Sequence, residues 1–226
     1  MQKIFLKPGE KISQLVQDHL AQANKKYSTT KNFPGYLKDI GHIFGLQPFQ
    51  PTERNVQFLG GFVEGEGSLN VGAKKNTTSR FKVYLDPIFS VTQHVNGINV
   101  LYQIMCYLKA GRLRYKKGSN ATIFFEIDNR RTLKEKVLPF YAKYVVRFGS
   151  PFKKKRYETF KKLLELFEER AHLNFDKMVN EVLPLYDSIR CQIDQKNQSF
   201  VSLQDAQDYV RAANAEFEIN DFFKSI

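Results

Sequence analysis

The stretch Leu59-Gly60-Gly61-Phe62-Val63-Glu64-Gly65-Glu66-Gly67 decides the fold, because one hydrophobic rhythm ends in it and another begins just after it. Before it, Thr52 is a suitable N-cap, and Val56, Leu59 and Val63 recur at helical spacing until Gly65 and Gly67 stop the pattern. A helix there carries three glycines, each costing about 1 kcal/mol relative to Ala, so contacts must offset roughly 3 kcal/mol. Gly61 and Gly65 stand at i and i+4 on one face, where they let a second helix approach backbone to backbone with dispersion as the return. A glycine-rich turn is the plain alternative for the same letters.

From Ser68 onward the period is two, the mark of a sheet with one dry and one wet face. Leu69, Val71 and Ala73 alternate with Ser68, Asn70, Gly72 and Lys74, and Phe81, Val83 and Leu85 with Arg80, Lys82, Tyr84 and Asp86. A third segment sets Leu113 and Tyr115 against Arg112, Arg114 and Lys116, and a fourth sets Ile123, Phe125 and Ile127 against Thr122, Glu126 and Asp128. Lys117-Gly118-Ser119-Asn120 reads as their hairpin turn. Between the pairs, Gly97–Lys109 has a helical apolar pattern that would cover the dry face. Further helices are expected at Thr132–Tyr144, Arg156–Glu169, Phe175–Ile193 and Ser202–Phe217, the last with Ser202 and Asp205 in capping-box spacing. The fold class is α+β, in the order helix, two strands, helix, two strands, helices.

Upstream, helices near Ile12–Tyr27 and Tyr36–Phe44 flank a polar break at Ser28–Asn32, and Pro48 and Pro51 mark a linker. This divides the chain into an N-terminal helical extension (1–50), a core (51–195) and a C-terminal helical tail (196–226). The glycine helix and its strands occur once, so no internal repeat supplies a twofold within the chain.

Charge is as uneven as hydrophobicity. The net charge is +12, but Ser68–Lys162 holds 21 Lys and Arg against 5 Asp and Glu, while the remainder is net acidic. A surplus so concentrated implies a binding face for an anionic polymer rather than mere solubility. No apolar run approaches the roughly 18 residues a membrane helix needs, so nucleic acid is the expected partner and a membrane is not. Cys106 and Cys191 lie far apart and four histidines are scattered, which leaves oxygen ligands for any metal. Met1–Glu10 carries neither a transit nor a secretory pattern. Abundant Lys, Asn, Phe, Ile and Tyr with no Trp is what an AT-rich, organellar gene encodes.

Glu66 stands just past the expected helix stop, against the usual preference at a negative dipole end. Beside a phosphate-binding surface it would repel the ligand unless a divalent cation bridges the two, and Mg²⁺ takes one or two carboxylates together with phosphate oxygens and water. A solvated loop acid is the bland reading of such a residue. Glu64, one turn from Gly60, is better suited to structure or capping than to a metal.

Leu59–Gly67 followed by Ser68 resembles the signature of the LAGLIDADG homing endonucleases, specifically the single-motif class that works as homodimers. The likeness spans about residues 53–170 and implies an αββαββα core with a DNA-binding antiparallel sheet. Val91-Thr92-Gln93-His94-Val95-Asn96-Gly97, Ser119-Asn120-Ala121-Thr122 and Asp128-Asn129-Arg130 look like algal organellar enzymes encoded in large-subunit ribosomal RNA introns, which implies a chloroplast or mitochondrial setting. Two departures stand out: the second acid is Glu66 rather than Asp, and Gly60 replaces the usual Ala.

The resemblance implies a Mg²⁺-dependent endonuclease cutting both strands of a long pseudo-palindromic DNA site. It assigns Glu66 to the metal with the Gly65 carbonyl as a further ligand, Gln93 to positioning solvent, and Lys153 or Lys155 to the basic role near the phosphate. Leu59, Gly61, Phe62 and Gly65 would pair the subunits. Asn70, Lys74, Arg80, Lys82, Tyr84, Asp86, Arg112, Arg114, Lys116 and Asn120 would lie along the major groove, reading bases or tracking phosphates. A further basic position of the family falls on Gly97, where that contribution is missing or has moved. The run Lys153-Lys154-Lys155-Arg156 can also be read as solvated charge. Rival readings are an RNA maturase on the same scaffold and a non-catalytic DNA-binding regulator, neither of which needs the acid of the motif.

Overall fold

A computed structural model describes residues 4–30, 32–191 and 199–224. The last two residues of the helix expected at Phe175–Ile193, and the domain boundary at 195/196, lie outside them. The elements are α1 (Gln14–Tyr27), α2 (Phe33–Phe44), α3 (Glu53–Glu66), β1 (Gly67–Lys75), β2 (Val83–His94), α4 (Ile98–Leu108), β3 (Arg112–Tyr115) and β4 (Thr122–Ile127). They continue with α5 (130–146), α6 (Pro151–Glu168), α7 (175–191) and α8 (Leu203–Lys224). Among the described residues no helix is long and apolar enough to cross a membrane. Contacts gather into two units, residues 1–68 with 89–153 and residues 69–88 with 154–226. This division does not follow the linker prolines.

In the first unit, α3 begins where Thr52 Oγ1 accepts the N–H of Asn55. The helix does not stop at Gly65; it runs through Glu66 and is closed by the N–H of Gly67 donating to Val63. Val56, Leu59, Gly60 and Val63 form its buried face. A Cβ added at Gly60 would lie 2.5 Å from the carbonyl oxygen of Tyr144, so glycine is what lets α5 come this close. The C-terminal half of β2 pairs antiparallel with β4, and β4 with β3, in registers such as Gln93 with Ile123 and Arg114 with Phe124. Beneath these strands α4 buries Ile98, Leu101, Ile104, Met105 and Leu108, as its periodicity requires.

The N-terminal helices seal the edge of β3. Asn24 Nδ2 donates to the Leu113 carbonyl at 2.8 Å, the Leu113 N–H donates to Tyr36 Oη at 3.0 Å, and Tyr36 Oη donates to Asn24 Oδ1 at 2.7 Å. Burial pushes the Tyr36 phenol up to about 12, which keeps it neutral and able to donate. An unpaired strand edge is a template for aggregation, and two side chains here replace a fifth strand. Asn96 exchanges two 2.8 Å hydrogen bonds with the Leu6 backbone, and the Ile12 N–H donates to Asn120 at 2.9 Å. The N-terminal stretch is thereby tied to the core of its own unit.

In the second unit, β1 and the first half of β2 form the hairpin expected from the alternation, with a different boundary. The strand predicted from Arg80 begins at Val83, and Arg80 and Lys82 belong to the turn before it. Lys82 adopts φ 54°, and Lys82 and Asn76 close the turn through a 2.7 Å backbone hydrogen bond. At the other end β2 continues through Pro87 to His94, which puts Gln93 near the end of the second strand as expected, although the alternation read from the sequence reaches only Asp86. Phe81 stacks at a tilt on Phe175 of α7. The C-terminal helix starts as its letters predict: Ser202 Oγ accepts the N–H of Asp205, and the Asp205 carboxylate accepts the N–H of Val201.

Two long helices contain a proline, and both solve the problem the same way. Leu133–Val137 and Met178–Val182 are π turns, in which Leu138 donates to Leu133 and Leu183 to Met178. Pro139 and Pro184 follow directly. A proline cannot donate and crowds the carbonyl four residues back, and the wider turn accommodates both facts without ending the helix.

The Gly60 contact yields a measurable consequence. Gly60→Ala should lower stability to urea by about 1–3 kcal/mol, the range for overpacking, instead of raising it by the roughly 1 kcal/mol of helix propensity. A gain in stability would show that α3 and α5 can separate at no cost.

Candidate functional site

The motif helix sorts its residues by where α5 holds it. Leu59, expected at the subunit contact, is fully buried in its own chain, so it anchors α3 to the core and cannot face a partner. Gly61 and Gly65 are exposed, and a Cβ on either would meet nothing. Phe62 is half-buried and packs at 6.4 Å from Phe58, which is 58% exposed. Phe58, Phe62, Gly61 and Gly65 therefore make one outward face with two large and two minimal residues. Phe58 was missed in the sequence, although it lies at i+4 before Phe62.

Glu66 ends the helix with its side chain exposed and no hydrogen bond or ion pair to a described residue. The last carbonyls of a helix lack N–H partners within it, so Gly65 offers a second oxygen at the same negative dipole end. Among the described residues no three His, Cys, Asp and Glu side chains gather. Mg²⁺ is usually held by one or two carboxylates with waters and phosphate, not by a protein cage, and an anionic, exposed, all-oxygen donor set fits that habit.

The neighbouring acid has another task. Glu64 Oε1 accepts the N–H of Ser150 at 3.2 Å, at the start of α6. Hydrogen bonds from Ser150, with Lys153 nearby, hold its carboxyl below the usual range. Glu64 is thus a capping acid, as read from its position. Lys153 donates Nζ to the carbonyl of Gly67, the first residue of β1, and so reaches the junction where Glu66 stands. Lys155 is exposed. Arg156 does not belong to a solvated run. It is 3% exposed and donates to the carbonyls of Leu69 at 2.6 Å and Ile189 at 3.0 Å and to Oδ1 of Asn70, binding β1 to α7 in the second unit.

Gln93 lies near the end of β2, on the dry side of the strand, and its Oε1 accepts the N–H of His94 at 2.8 Å. A Cβ at Gly97 would sit 2.6 Å from Gln93 Cγ. The Gln93 side chain thus occupies the space in which a side chain at 97 would begin.

The proposed DNA-facing residues are less free than their charges imply. In the second unit, Lys74 lies 3.7 Å from Asp86, Lys82 pairs with Glu216 of α8, and Arg80 stacks over Phe81 and Phe217. Tyr84 is exposed, and the Asn70 oxygen is held by Arg156. In the first unit, Arg112 and Arg114 both meet Glu126, and Arg112 also meets Asp128, while Lys116 and Asn120 are exposed. The long β2 adds Ser90, Thr92 and His94 to the polar side, with Phe124 of β4 opposite Thr92. The alternation read from the sequence reaches only Asp86, although Gln93 is placed at the end of the same strand, so Ser90, Thr92 and His94 go unread.

A helix ending in an exposed acid, open glycines along its outer face and a polar four-strand surface define the LAGLIDADG endonuclease class. The LAGLIDADG endonuclease family model matches residues 59–164. The chain is 48% identical to DNA endonuclease I-CeuI of Chlamydomonas moewusii over 93% of its own length and 97% of the relative's, and it belongs to this family. Among solved structures, the group I intron-encoded homing endonuclease I-CeuI complexed with DNA superposes with TM-score 0.88 over 91% of this chain and all of that one. The archaeal intron-encoded homing endonuclease I-Vdi141I complexed with DNA gives 0.62 at 25% identity, over 72% of this chain and 97% of that one.

The Glu64 cap carries a pH signature. A lowered folded-state pKa means its contribution is complete above the ordinary carboxylate value of 4.5 and is lost as pH falls through the folded value. Glu64→Gln should therefore cost about 1 kcal/mol or less near neutrality, and chemical denaturation should show the difference closing as pH falls below that value. A difference independent of pH would show that charge has no part in the cap.

Proposed function

We propose that two copies of this chain form a Mg²⁺-dependent endonuclease that hydrolyses both strands of a long, imperfectly symmetric DNA site. The observation that carries this reading is Glu66: an exposed carboxylate with no described partner at the end of α3, directly beyond a face where a Cβ on Gly61 or Gly65 would meet no described residue. Pairing of two such faces through Gly61 and Gly65, with Phe58 and Phe62 beside them, brings two Glu66 together, one for each strand. The DNA complexes of the relatives support double-stranded DNA as the substrate.

Glu66 and the Gly65 carbonyl would hold the cation, which supplies Lewis acidity toward a phosphodiester and a readily deprotonated water. The remaining roles fall to the chain. Lys153, seated on the Gly67 carbonyl, places a positive charge near the phosphate, where it offsets charge building on the phosphoryl oxygens. Gln93, folded over Gly97, offers an amide to orient water for in-line attack. A covalent nucleophile is not required. The polar side of the strands lies in the major groove, where all four base pairs are distinguishable. The algal relative and the AT-rich composition support an intron-borne gene in a chloroplast or mitochondrion.

Two substitutions separate catalysis from assembly. Glu66→Gln should abolish cutting in Mg²⁺ while binding to a selected site in Ca²⁺ persists, and continued cutting would remove Glu66 from the mechanism. Gly61→Leu should turn the dimer into monomers in sedimentation, and an unchanged dimer would refute helix pairing through this face.

A further inference from the structure

The polar side of β3 and β4 contains an arrangement that the cleavage chemistry does not use. Glu126 is 9% exposed although its strand position is on the wet face. Its Oε1 lies 2.7 Å from Nε of Arg112 and 2.5 Å from Nε of Arg114, and Arg112 gives Nη2 to Asp128. Two cations and two anions cancel, so the cluster adds little long-range attraction for phosphate. An acid at this place opposes general DNA affinity.

The two guanidinium groups are not equivalent. Arg112 has committed Nε and Nη2, which leaves a single Nη. Arg114 meets Glu126 through Nε as an ion pair, without the hydrogen bond that Arg112 makes; its side chain is 48% exposed, and neither Nη has a described partner. Phe124 stands directly across from Arg114 in the β3–β4 register and limits the sweep of its aliphatic stem. A guanidinium drawn to a carboxylate on its Nε side, with both Nη groups lacking a described partner, presents the planar fork that matches O6 and N7 of guanine in the major groove. Because the fork is already held, it loses less freedom on binding than a loose side chain. An arginine already neutralised by Glu126 also gains less from an arbitrary phosphate, which disfavours unrelated DNA.

We infer that Arg114 reads a guanine in each half of the DNA site and that Glu126 is its positioning residue, with Arg112 and Asp128 holding Glu126 in place. This inference rests on the DNA reading given above. Glu126→Gln keeps the shape and can still accept from Arg112 Nε, but it removes the negative charge that draws Arg114 to the same oxygen, so the Arg114 guanidinium is released.

The test uses the full chain and its variants to select from a randomised duplex pool in Ca²⁺, followed by sequencing of bound DNA and titration of an unrelated duplex against salt. Glu126→Gln is expected to weaken guanine preference about tenfold at one position per half-site, to leave other positions unchanged, and to raise affinity for unrelated DNA at low salt. Arg114→Gln, an exposed change that is independent of core folding, is expected to erase the same position, and it decides the matter if Glu126→Gln does not fold. An unchanged profile in the variants, or losses at different positions in the two, overturns the inference while the DNA reading stands. A wild-type chain that enriches no sequence removes the DNA reading and the inference together.

Discussion

The close approach of α3 to α5 at Gly60 is the constraint from which the rest of the site follows. With no side chain at 60, the Tyr144 carbonyl comes within a distance that even a methyl group would forbid. That contact fixes the rotation of α3 about its axis. Once Val56, Leu59, Gly60 and Val63 point inward, Phe58, Gly61 and Gly65 must point outward and Glu66 must end the helix in the open. A rotation by one residue, about 100°, would bury Gly61 and expose Leu59, and it would destroy the outward face. The glycine cost in this helix is thus offset in two places, inside the chain at Gly60 and, in the dimer we propose, outside it at Gly61 and Gly65.

Electrostatics divides the motif acids in a similar way. Glu64 and Glu66 are two residues apart, yet one is bound by the Ser150 N–H and the other has no described partner. Their difference arises from α6, whose first turn supplies a donor to one side of the helix end only. The same turn brings Lys153 to Gly67, so the start of α6 both occupies Glu64 and seats a cation at the junction where Glu66 stands. The positive surface is likewise edited by neighbouring elements. Of the concentrated surplus, Arg156 is buried as a structural hub, Lys82 is matched by α8, and the β3 arginines are matched within the sheet. What a phosphate backbone meets is therefore a smaller and more ordered set of cations than the count implies.

Much of this was legible in the letters. The change of period at Ser68, the Thr52 and Ser202 caps and the turn at Lys117–Asn120 all depend on interactions within a few residues, which local sequence encodes directly. The losses have equally specific causes. The alternation read from the sequence reaches only Asp86, just before Pro87, so the polar side of the second half of β2, Ser90, Thr92 and His94, goes unread. Leu59 was placed at the subunit contact because the motif is read as a unit, whereas a helix presents only part of its circumference to any one neighbour.

The sequence by itself determined the order of elements, the family and the identity of the carboxylate at the end of the motif helix, because periodicity, caps and motif spacing are properties of neighbouring residues. Only the tertiary structure decided which face of α3 is buried, that the Gln93 side chain lies over Gly97, and which arginines are paired with acids. Those outcomes depend on residues distant along the chain, where packing distances and charge pairing are settled by the approach of one element to another. No local pattern carries that information.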